Sequence, residues 1–347
     1  MYRFPDWITS GHDLTQLNTF GVPSSARYFA AISDDKKLEE LIATGFAGQM
    51  AHLVVGRGSN LLFVKPFDGL VIHAQQRNIM AEPLDDEQML LTCGAGAGWH
   101  ELVEHCVANN WGGIENLALI PGTVGAAPVQ NIGAYGSEVA DVLEYVDGID
   151  LHTGTRRRLN RKECQFGYRD SIFKHDSGKN FFISSVTLRL TRNRHRINTG
   201  YQALQMHLQQ LSIVHPGIRE VFDAVVAIRR SKLPDPAVTG NAGSFFKNPI
   251  VPMEKLEEWQ LTHPSVPFYP IDNQNVKVPA GWLIETAGWK GRTIGRVGTH
   301  AKQALVIVNL GGASGQEIYD FSQRICDDVR LRFGIELERE VQLVNGA

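Results

Sequence analysis

The chain of 347 residues is 43% hydrophobic and 20% charged, which is ordinary for a globular protein of two or three domains. Its formal net charge of −3 argues against a dedicated nucleic-acid binder. The four cysteines form no C-x-x-C pair and no cluster with metal-ligand spacing, so we expect no metal site and a reducing cytoplasm. No signal peptide is expected, and no apolar stretch approaches the roughly 18 residues of a membrane span.

The first half of the chain is punctuated by glycines and rich in predicted strands. Buried strands are predicted at 52–56, 69–74 and 89–96, and an alternating strand at 181–192. A helix is expected over about 99–110, because apolar residues recur there at the spacing of one packed helical face. The basic run RRRLNRK at 156–162 is interpreted as a solvated hairpin.

The composition shifts near residue 195 to a polar, amphipathic segment. The next predicted helix begins near Pro216 and Gly217. It ends at Arg229, Arg230 and Lys232, cations that the helix macrodipole favours at a C-terminus.

The C-terminal third repeats strand and helix signals. A covered strand is predicted at 304–310, because seven apolar or neutral residues follow one another there. Ser314 and Glu317 form a capping box for a helix through about Phe333. The alternation in IELEREVQLV predicts a final strand over 335–344.

These elements predict an α+β protein in three parts. An N-terminal segment covers 1–22, a larger domain covers 23–194, and a smaller α/β substrate domain covers 195–347. The last strand is expected to line the cleft between the two domains.

Three glycine-rich loops are candidates for binding a phosphate group. They are GRGSN at 56–60, GAGAG at 94–98 and IPGTVGAA at 120–127. Glycine removes the Cβ clash and lets successive backbone N–H groups turn towards an anion. The middle loop departs from the dinucleotide-binding spacing and is interpreted as structural. For the other two loops, a pyrophosphate held by the main chain and plain tight turns are equal alternatives on the residues alone.

A set of motifs in a fixed order carries a resemblance to a known family. The motifs are NTFGVPSSA at 18–26, VVGRGSNLLF at 54–63, ALIPGTVGAAPVQNIGAYG at 118–136, FGYRDSIFK at 166–174, KLPDP at 232–236, GNAGSFFKNP at 240–249, AGWLIETAGWKG at 280–291, QALVIVN at 303–309 and LEREV at 337–341. With them the chain resembles the UDP-N-acetylenolpyruvoylglucosamine reductases, flavoenzymes that make UDP-N-acetylmuramate for the bacterial cell wall. The segment around Tyr201 is similar to the longer subclass, in which a tyrosine loop covers the substrate.

The resemblance implies an FAD-binding domain of the PCMH type, as in vanillyl-alcohol oxidases, with non-covalent FAD and with NADPH as the reductant. It assigns FAD to Gly56, Arg57, Gly58, Ser59, Asn60, Leu61, Ile120, Pro121, Gly122, Thr123, Gly125, Ala126, Asn131, Gly133, Ala134, Tyr135 and Gly136. It assigns the UDP-sugar to Tyr168, Tyr201, Lys232, Lys247, Asn248, Tyr269 and Gln303. A monomer is expected.

The resemblance also implies the catalytic set Arg169, Ser244 and Glu340. Arg169 would grip the substrate carboxylate, and the plainer alternative is a surface salt bridge with Asp170. Ser244 would protonate the strongly basic carbanion left by hydride transfer, and the alternative is a turn or N-cap serine. Glu340 would be protonated, its pKa raised by desolvation and like charge, and the alternative is a solvated strand face. Arg57, in the first glycine loop, and Arg339, beside Glu340, depart from the family pattern.

Two other functions fit parts of the sequence. A flavin oxidoreductase that acts on another alcohol or sugar would keep the glycine loops but would not need Arg169, Ser244 and Glu340. A catalytically silent nucleotide-sugar-binding protein would keep Lys232 and Tyr201 and lose the flavin contacts. The chain keeps both sets, so the reductase is the favoured prediction.

Overall fold

A computed structural model describes residues 5–346 of the chain. The strands are β1 Ile8–Asp13, β2 Ser25–Ile32, β3 His52–Val55, β4 Leu61–Phe63, β5 Phe67–Ala74, β6 Ile79–Pro83, β7 Gln88–Gly94, β8 Gly133–Ala134, β9 Ser137–Glu138, β10 Leu143–Asp150, β11 Arg156–Asn160, β12 Phe181–Thr191, β13 Gly240–Ser244, β14 Ile250–Pro252, β15 Tyr269–Pro270, β16 Asn275–Lys277, β17 Thr293–Ile294, β18 Val297–His300, β19 Gln303–Asn309 and β20 Gln342–Val344. The helices are α1 Asp35–Ala43, α2 Trp99–Ala108, α3 Gln202–Gln210, α4 Ile218–Lys232, α5 Met253–Gln260, α6 Ala280–Thr286 and α7 Gly315–Phe333.

The first sheet positions the first glycine loop. Its strand order is β1-β2-β5-β3, and β2, β5 and β3 run parallel while β1 is antiparallel to β2. The carboxyl ends of parallel strands meet at one edge of a sheet. The loop at 56–60 leaves β3 at this edge, where glycines let the chain turn sharply.

The second sheet is antiparallel and has the order β11-β10-β12-β7-β6. The hairpin of β10 and β11 carries the basic run, and only Leu159 of β11 is buried. The predicted solvated hairpin is therefore confirmed. Helix α2 packs against this part of the molecule through the stripe from Trp99 to Val107.

The third sheet, in the order β13-β19-β18-β17, places Ser244 at the end of β13 opposite Val306 of β19. A small sheet of the order β14-β16-β15 lies in the same half of the chain. Helices α6 and α7 contribute buried side chains to the core of this half, including Leu283 and Phe321.

The buried apolar side chains form two cores, and each core takes residues from across the predicted domain boundary at 194/195. The first core contains much of the two larger sheets and also Leu204 and Val225, from α3 and α4. The second contains most of the C-terminal third together with Leu14 and Phe63 from the N-terminal part. The boundaries themselves stay predictions.

The final strand is shorter than predicted, so the prediction over 335–344 is wrong in length. Only β20 joins a ladder, parallel to β4. Before it, an isolated bridge pairs Phe246 with Arg339, and the chain bends at 340–341. The alternation correctly indicated the burial of Leu337 and Val341, but it placed the largely buried Glu340 on the solvated face. A ladder also needs a partner strand along its whole length. The partner here soon reaches Pro249, which has no N–H to donate.

None of the helices within 5–346 combines the length and the apolar character needed to cross a membrane.

Candidate active site

A guanidinium and a carboxyl group meet between the two halves of the chain. Arg169 Nε lies 3.1 Å from Glu340 Oε1, and the two side chains are only 20% and 13% exposed. Arg169 Nη2 also donates to the Gly133 carbonyl at 2.6 Å. The alternative partner Asp170 binds His175 instead, at 2.8 Å. Arg169 is therefore directed into the molecule rather than towards a surface salt bridge.

The backbone of Glu340 is fixed from two sides. Its N–H donates to the Phe245 carbonyl at 2.9 Å, and its own carbonyl accepts from Asn60 Nδ2 at 3.0 Å. Burial raises the pKa of the Glu340 carboxyl, although the positive charges of Arg169, Lys174 and others act in the opposite direction. A raised pKa is what a carboxyl group needs in order to keep its proton.

Ser244 is linked to Glu340 through the backbone of the residue that follows it. It ends β13, and the residue after it, Phe245, accepts the hydrogen bond from the Glu340 N–H. Gly243 has a φ of +69°, a conformation that glycine adopts without strain. Phe245 and Phe246 are 0% and 1% exposed and form a dry floor beside the hydroxyl-bearing residue. The structure thus connects Ser244 to the Arg169–Glu340 pair through the backbone of Phe245, and the catalytic roles of the three residues stay predictions.

The two glycine loops predicted to hold a pyrophosphate lie against each other. Ser59 Oγ donates to the Pro121 carbonyl at 3.1 Å, and a Cβ on Gly56 would collide with Thr123. Within residues 5–346 the backbone N–H groups of 57–60 donate no hydrogen bond, so four successive donors are available to an anion. This arrangement fits the diphosphate of FAD. By contrast, Gly96 of the middle loop packs on the backbone of residue 75, as its structural interpretation requires.

Arg57 is the exception among the residues of the first loop. Its guanidinium pairs with the carboxylate of Glu101 in α2, and both side chains are about half exposed. A Cβ on Gly98 of the middle loop would collide with this pair.

A short hairpin supports Arg169. Strands β8 and β9 pair around Tyr135 and Gly136, whose φ angles of +49° and +82° are those of a tight two-residue turn. Asn131 is 1% exposed and donates to Glu138 Oε2 at 2.7 Å and to the Gly167 carbonyl at 3.0 Å. Asn131 therefore ties the hairpin to the turn that carries Arg169.

Tyr168 and Asn248 line the same region. The Tyr168 side chain lies near the backbone of Asn248, and burial raises the pKa of this phenol. Lys277 Nζ lies 4.4 Å from the centre of the Tyr168 ring. The Asn248 side chain accepts from the Ala280 N–H at 2.9 Å, which satisfies a donor at the start of α6.

Tyr201 lies between Tyr135 and Tyr269. The Tyr201 ring meets that of Tyr135 edge to face at 5.3 Å, and Tyr269 lies near it on the other side. Burial, with Tyr269 and Tyr135 nearby, raises the pKa of Tyr201.

Three predicted substrate residues remain, namely Lys247, Lys232 and Gln303. Lys247 binds Glu338, two residues before Glu340, at 2.5 Å. Lys232 is exposed at the end of α4, and Gln303 accepts from the Leu305 N–H at 3.3 Å. Within the described chain, neither of these last two makes a hydrogen bond or ion pair with the catalytic set.

Arg229 is a residue of this site that the sequence-based reasoning missed. Its Nε donates to the Leu119 carbonyl at 3.2 Å, and burial lowers its pKa while Tyr135 and Arg169 act on it electrostatically. The sequence pattern indicates Arg229 only as a cation at a helix end. Its position four residues after the buried Val225 was the available signal, because i and i+4 share a helical face.

Arg339 does not perturb Glu340 directly. Its guanidinium donates to Ser322 Oγ at 3.0 Å and to Gln323 Oε1 at 2.8 Å, both on α7. It also lies 5.0 Å from the centre of the Tyr319 ring. The Arg339 guanidinium is therefore held by α7.

Comparisons with known proteins agree along the whole chain. A family model for the C-terminal domain of UDP-N-acetylenolpyruvoylglucosamine reductase matches residues 235–344, and a model for an FAD binding domain matches residues 26–160. The UDP-N-acetylenolpyruvoylglucosamine reductase of Amoebophilus asiaticus is 44% identical over 331 residues, covering 95% of this chain and 97% of the relative. That of Chromobacterium violaceum is 45% identical over 329 residues, covering 94% and 96%.

A solved structure agrees with the fold. The UDP-N-acetylenolpyruvylglucosamine reductase (MurB) from Thermus caldophilus superposes with a TM-score of 0.63 and 24% identity, over 97% of both chains. The predicted α+β fold with an FAD-binding domain is thereby confirmed. With identities above 40% over almost its full length, the chain belongs to the UDP-N-acetylenolpyruvoylglucosamine reductase family.

Proposed function

We propose that the protein reduces UDP-N-acetyl-3-O-(1-carboxyvinyl)-glucosamine to UDP-N-acetylmuramate, a step of peptidoglycan synthesis. The observation that carries this proposal is the largely buried pair of Arg169 and Glu340, joined at 3.1 Å beside the strand end that bears Ser244. An enol ether that bears a carboxylate needs this combination of a fixed cation, a neutral donor and a proton source.

FAD is the cofactor, and when bound it supplies the hydride that the terminal alkene carbon accepts. The residues that would hold its diphosphate are those of 56–61 and 120–126. Within residues 5–346 the N–H groups of 57–60 donate no hydrogen bond, and the small side chains of both loops allow close approach. We infer that the hairpin at 133–136 faces the same cofactor, because Gly133 holds Arg169.

Arg169 binds the substrate carboxylate. Addition of hydride to the terminal carbon leaves negative charge on the adjacent carbon, and this charge spreads into the carboxylate. A guanidinium already fixed by the Gly133 carbonyl stabilises that charge without having to reorganise. The substrate carboxylate replaces Glu340 as the acceptor of the Arg169 Nε–H.

Glu340 acts as a neutral hydrogen-bond donor. An ionised glutamate would repel the growing negative charge, whereas a protonated one donates to it. Burial of the carboxyl supports this role, since it raises the pKa of Glu340.

Ser244 donates the proton that completes the reaction. A hydroxyl group is a very weak acid, but the carbanion is a strong enough base to take its proton. The new C–H bond forms at the carbon next to the carboxylate, and the serine alkoxide is then reprotonated from solvent.

We infer that Tyr201, Lys232, Lys247, Asn248, Tyr269 and Gln303 bind the UDP-sugar and that NADPH is the reductant. We also infer a monomer that acts in the cytoplasm. The four cysteines are free and buried, and burial raises the pKa of the Cys93 thiol to about 12, which suits a reducing compartment.

The test is an anaerobic reaction in two halves. NADPH is expected to bleach the flavin absorbance of the purified holoenzyme, and the enolpyruvyl UDP-sugar is then expected to restore it without oxygen. UDP-N-acetylmuramate should appear in equal amount to the flavin reoxidised. A flavin that is reduced by NADPH but stays reduced when the UDP-sugar is added would refute the proposed function.

A further inference from the structure

Two asparagines connect the turn beside Arg169 to the segment that carries Tyr201. Asn116 is 2% exposed, and its Nδ2 donates to two carbonyls, that of Tyr135 at 3.0 Å and that of Asn198 at 2.9 Å. A single buried amide therefore joins two stretches of backbone that are far apart in sequence.

Asn198 makes the reciprocal connection. Its Nδ2 donates to the Gly136 carbonyl at 2.9 Å and to Ser137 Oγ at 3.2 Å, while its Oδ1 accepts from the Gly200 N–H at 3.1 Å. The segment is thus fixed from Asn198 up to Gly200, the residue that precedes Tyr201. We call Asn116 and Asn198 the asparagine clasp.

The clasp has an active-site group at each end. On one side, Gly133 of the same hairpin accepts the hydrogen bond from Arg169. On the other, Tyr201 touches the Tyr135 ring and lies near Tyr269. Tyr201 is itself 39% exposed, so its packing alone restrains it weakly.

We propose that Asn116 and Asn198 are positioning residues, which hold Tyr201 in place between Tyr135 and Tyr269 before the UDP-sugar binds. This inference rests on the proposed function, in which Tyr201 contacts the nucleotide sugar. A cover that is already ordered loses little conformational freedom on binding, and affinity is gained in that way. Without the clasp, the ligand itself has to order the segment.

The experiment measures affinity without turnover. The enolpyruvyl UDP-sugar is titrated into the oxidised holoenzyme by calorimetry, where no reduction occurs because NADPH is absent. Asn198→Ala is expected to raise the Kd by about 10- to 100-fold. The rate of flavin reduction by NADPH and the kcat at saturating UDP-sugar are expected to change far less, since a saturating ligand orders the segment.

A matched control comes from the same connecting segment. Asn193 Nδ2 donates to the Asp86 carbonyl at 2.7 Å, away from the clasp, so Asn193→Ala is expected to leave the Kd unchanged. Asn116→Asp provides a second test of the clasp, because it keeps the shape of the side chain and removes both donors. FAD content and thermal unfolding are recorded for each variant.

A double-mutant cycle separates positioning from general loosening. If the clasp acts through Tyr201, Asn198→Ala should have no further effect on the Kd in a Tyr201→Ala background. Equal effects in both backgrounds, an unchanged Kd in Asn198→Ala, or a parent enzyme that binds no UDP-sugar would each overturn the proposal. A parent that binds the UDP-sugar but does not reduce it refutes the proposed function and leaves the clasp supported by its own data.

Discussion

Glu340 combines burial with three neighbouring cations, and the two influences act in opposite directions on its proton. Desolvation disfavours the ionised carboxylate, whereas Arg169, Lys174 and Lys247 favour it. The net result is a raised pKa. A substrate carboxylate bound at Arg169 adds like charge and removes part of the opposing influence, so the proton is held more firmly in the complex.

A pH profile tests the protonated role of Glu340. The rate of flavin reoxidation by the UDP-sugar is expected to fall as the pH rises through the raised pKa of Glu340, because the donor form disappears. Glu340→Gln, whose amide donates at every pH, should lose this alkaline limb and react more slowly overall. Glu338→Gln is the control, since Glu338 is 69% exposed, and it should keep the limb. An unchanged limb in Glu340→Gln would contradict the role.

Ser244 is tested by separating the two half-reactions. In Ser244→Ala, NADPH should still reduce the flavin at the parent rate, whereas reoxidation by the UDP-sugar should slow by about 10²–10⁴-fold because the proton donor is missing. Ser244→Cys restores an acidic hydrogen and should recover part of the rate. Equal reoxidation rates in Ser244→Ala and the parent, measured by stopped-flow absorbance, would remove Ser244 from the mechanism.

At the residue scale, the sequence identified the residues with candidate chemical roles better than the residues that hold them in place. The motifs pointed to Arg169, Ser244 and Glu340, which the structure brings together at one junction. Arg229 was missed because a cation near a helix end has an ordinary explanation in the macrodipole. Asn116 was missed because its two acceptors are backbone carbonyls, which carry no side-chain signature in the sequence.

At the scale of elements, helices with local signals were predicted well. Helix α7 begins at the Ser314–Glu317 capping box, in which each residue accepts from the other's backbone N–H, and it ends at Gly334 with a φ of +70°. These contacts span only three residues, so sequence alone specifies them. The final strand was overextended because its ladder depends on β4 and on the segment after Ser244, which lie far away in sequence.

The cap of α7 gives a stability prediction at this scale. Ser314→Ala removes the side-chain acceptor for the Glu317 N–H and should lower the free energy of unfolding by about 1 kcal/mol. Ser10→Ala, on the exposed face of β1, serves as the control and should change it by less than about 0.5 kcal/mol. Thermal unfolding measures both, and a cap variant as stable as its control would contradict the assignment.

At the scale of the molecule, the FAD-binding loops connect the two cores. Val55, at the start of the first loop, belongs to the second core, whereas Ile120 and Val124 of the other loop pack with the first. A ligand bound to both loops therefore stabilises the whole chain rather than one half.

Cofactor removal tests this connection. Adding FAD to the apoprotein should raise the midpoint of thermal unfolding in a concentration-dependent way, since a ligand at 100 times its Kd adds about 2.7 kcal/mol. Intrinsic fluorescence and circular dichroism should report the same shifted transition. A midpoint that does not respond to FAD would show that the loops do not bind it.

The parallel pairing of β4 with β20 has a consequence for synthesis of the protein. The hydrogen bond from Asn60 to Glu340 spans 280 residues, so this end of the catalytic cleft cannot form until Glu340 has left the ribosome. A nascent chain can assemble the sheet of β1, β2, β5 and β3 early, yet β4 lacks its partner strand until β20 has been synthesised. Chains truncated before Glu340 would therefore bind flavin at best and would not reduce the nucleotide sugar.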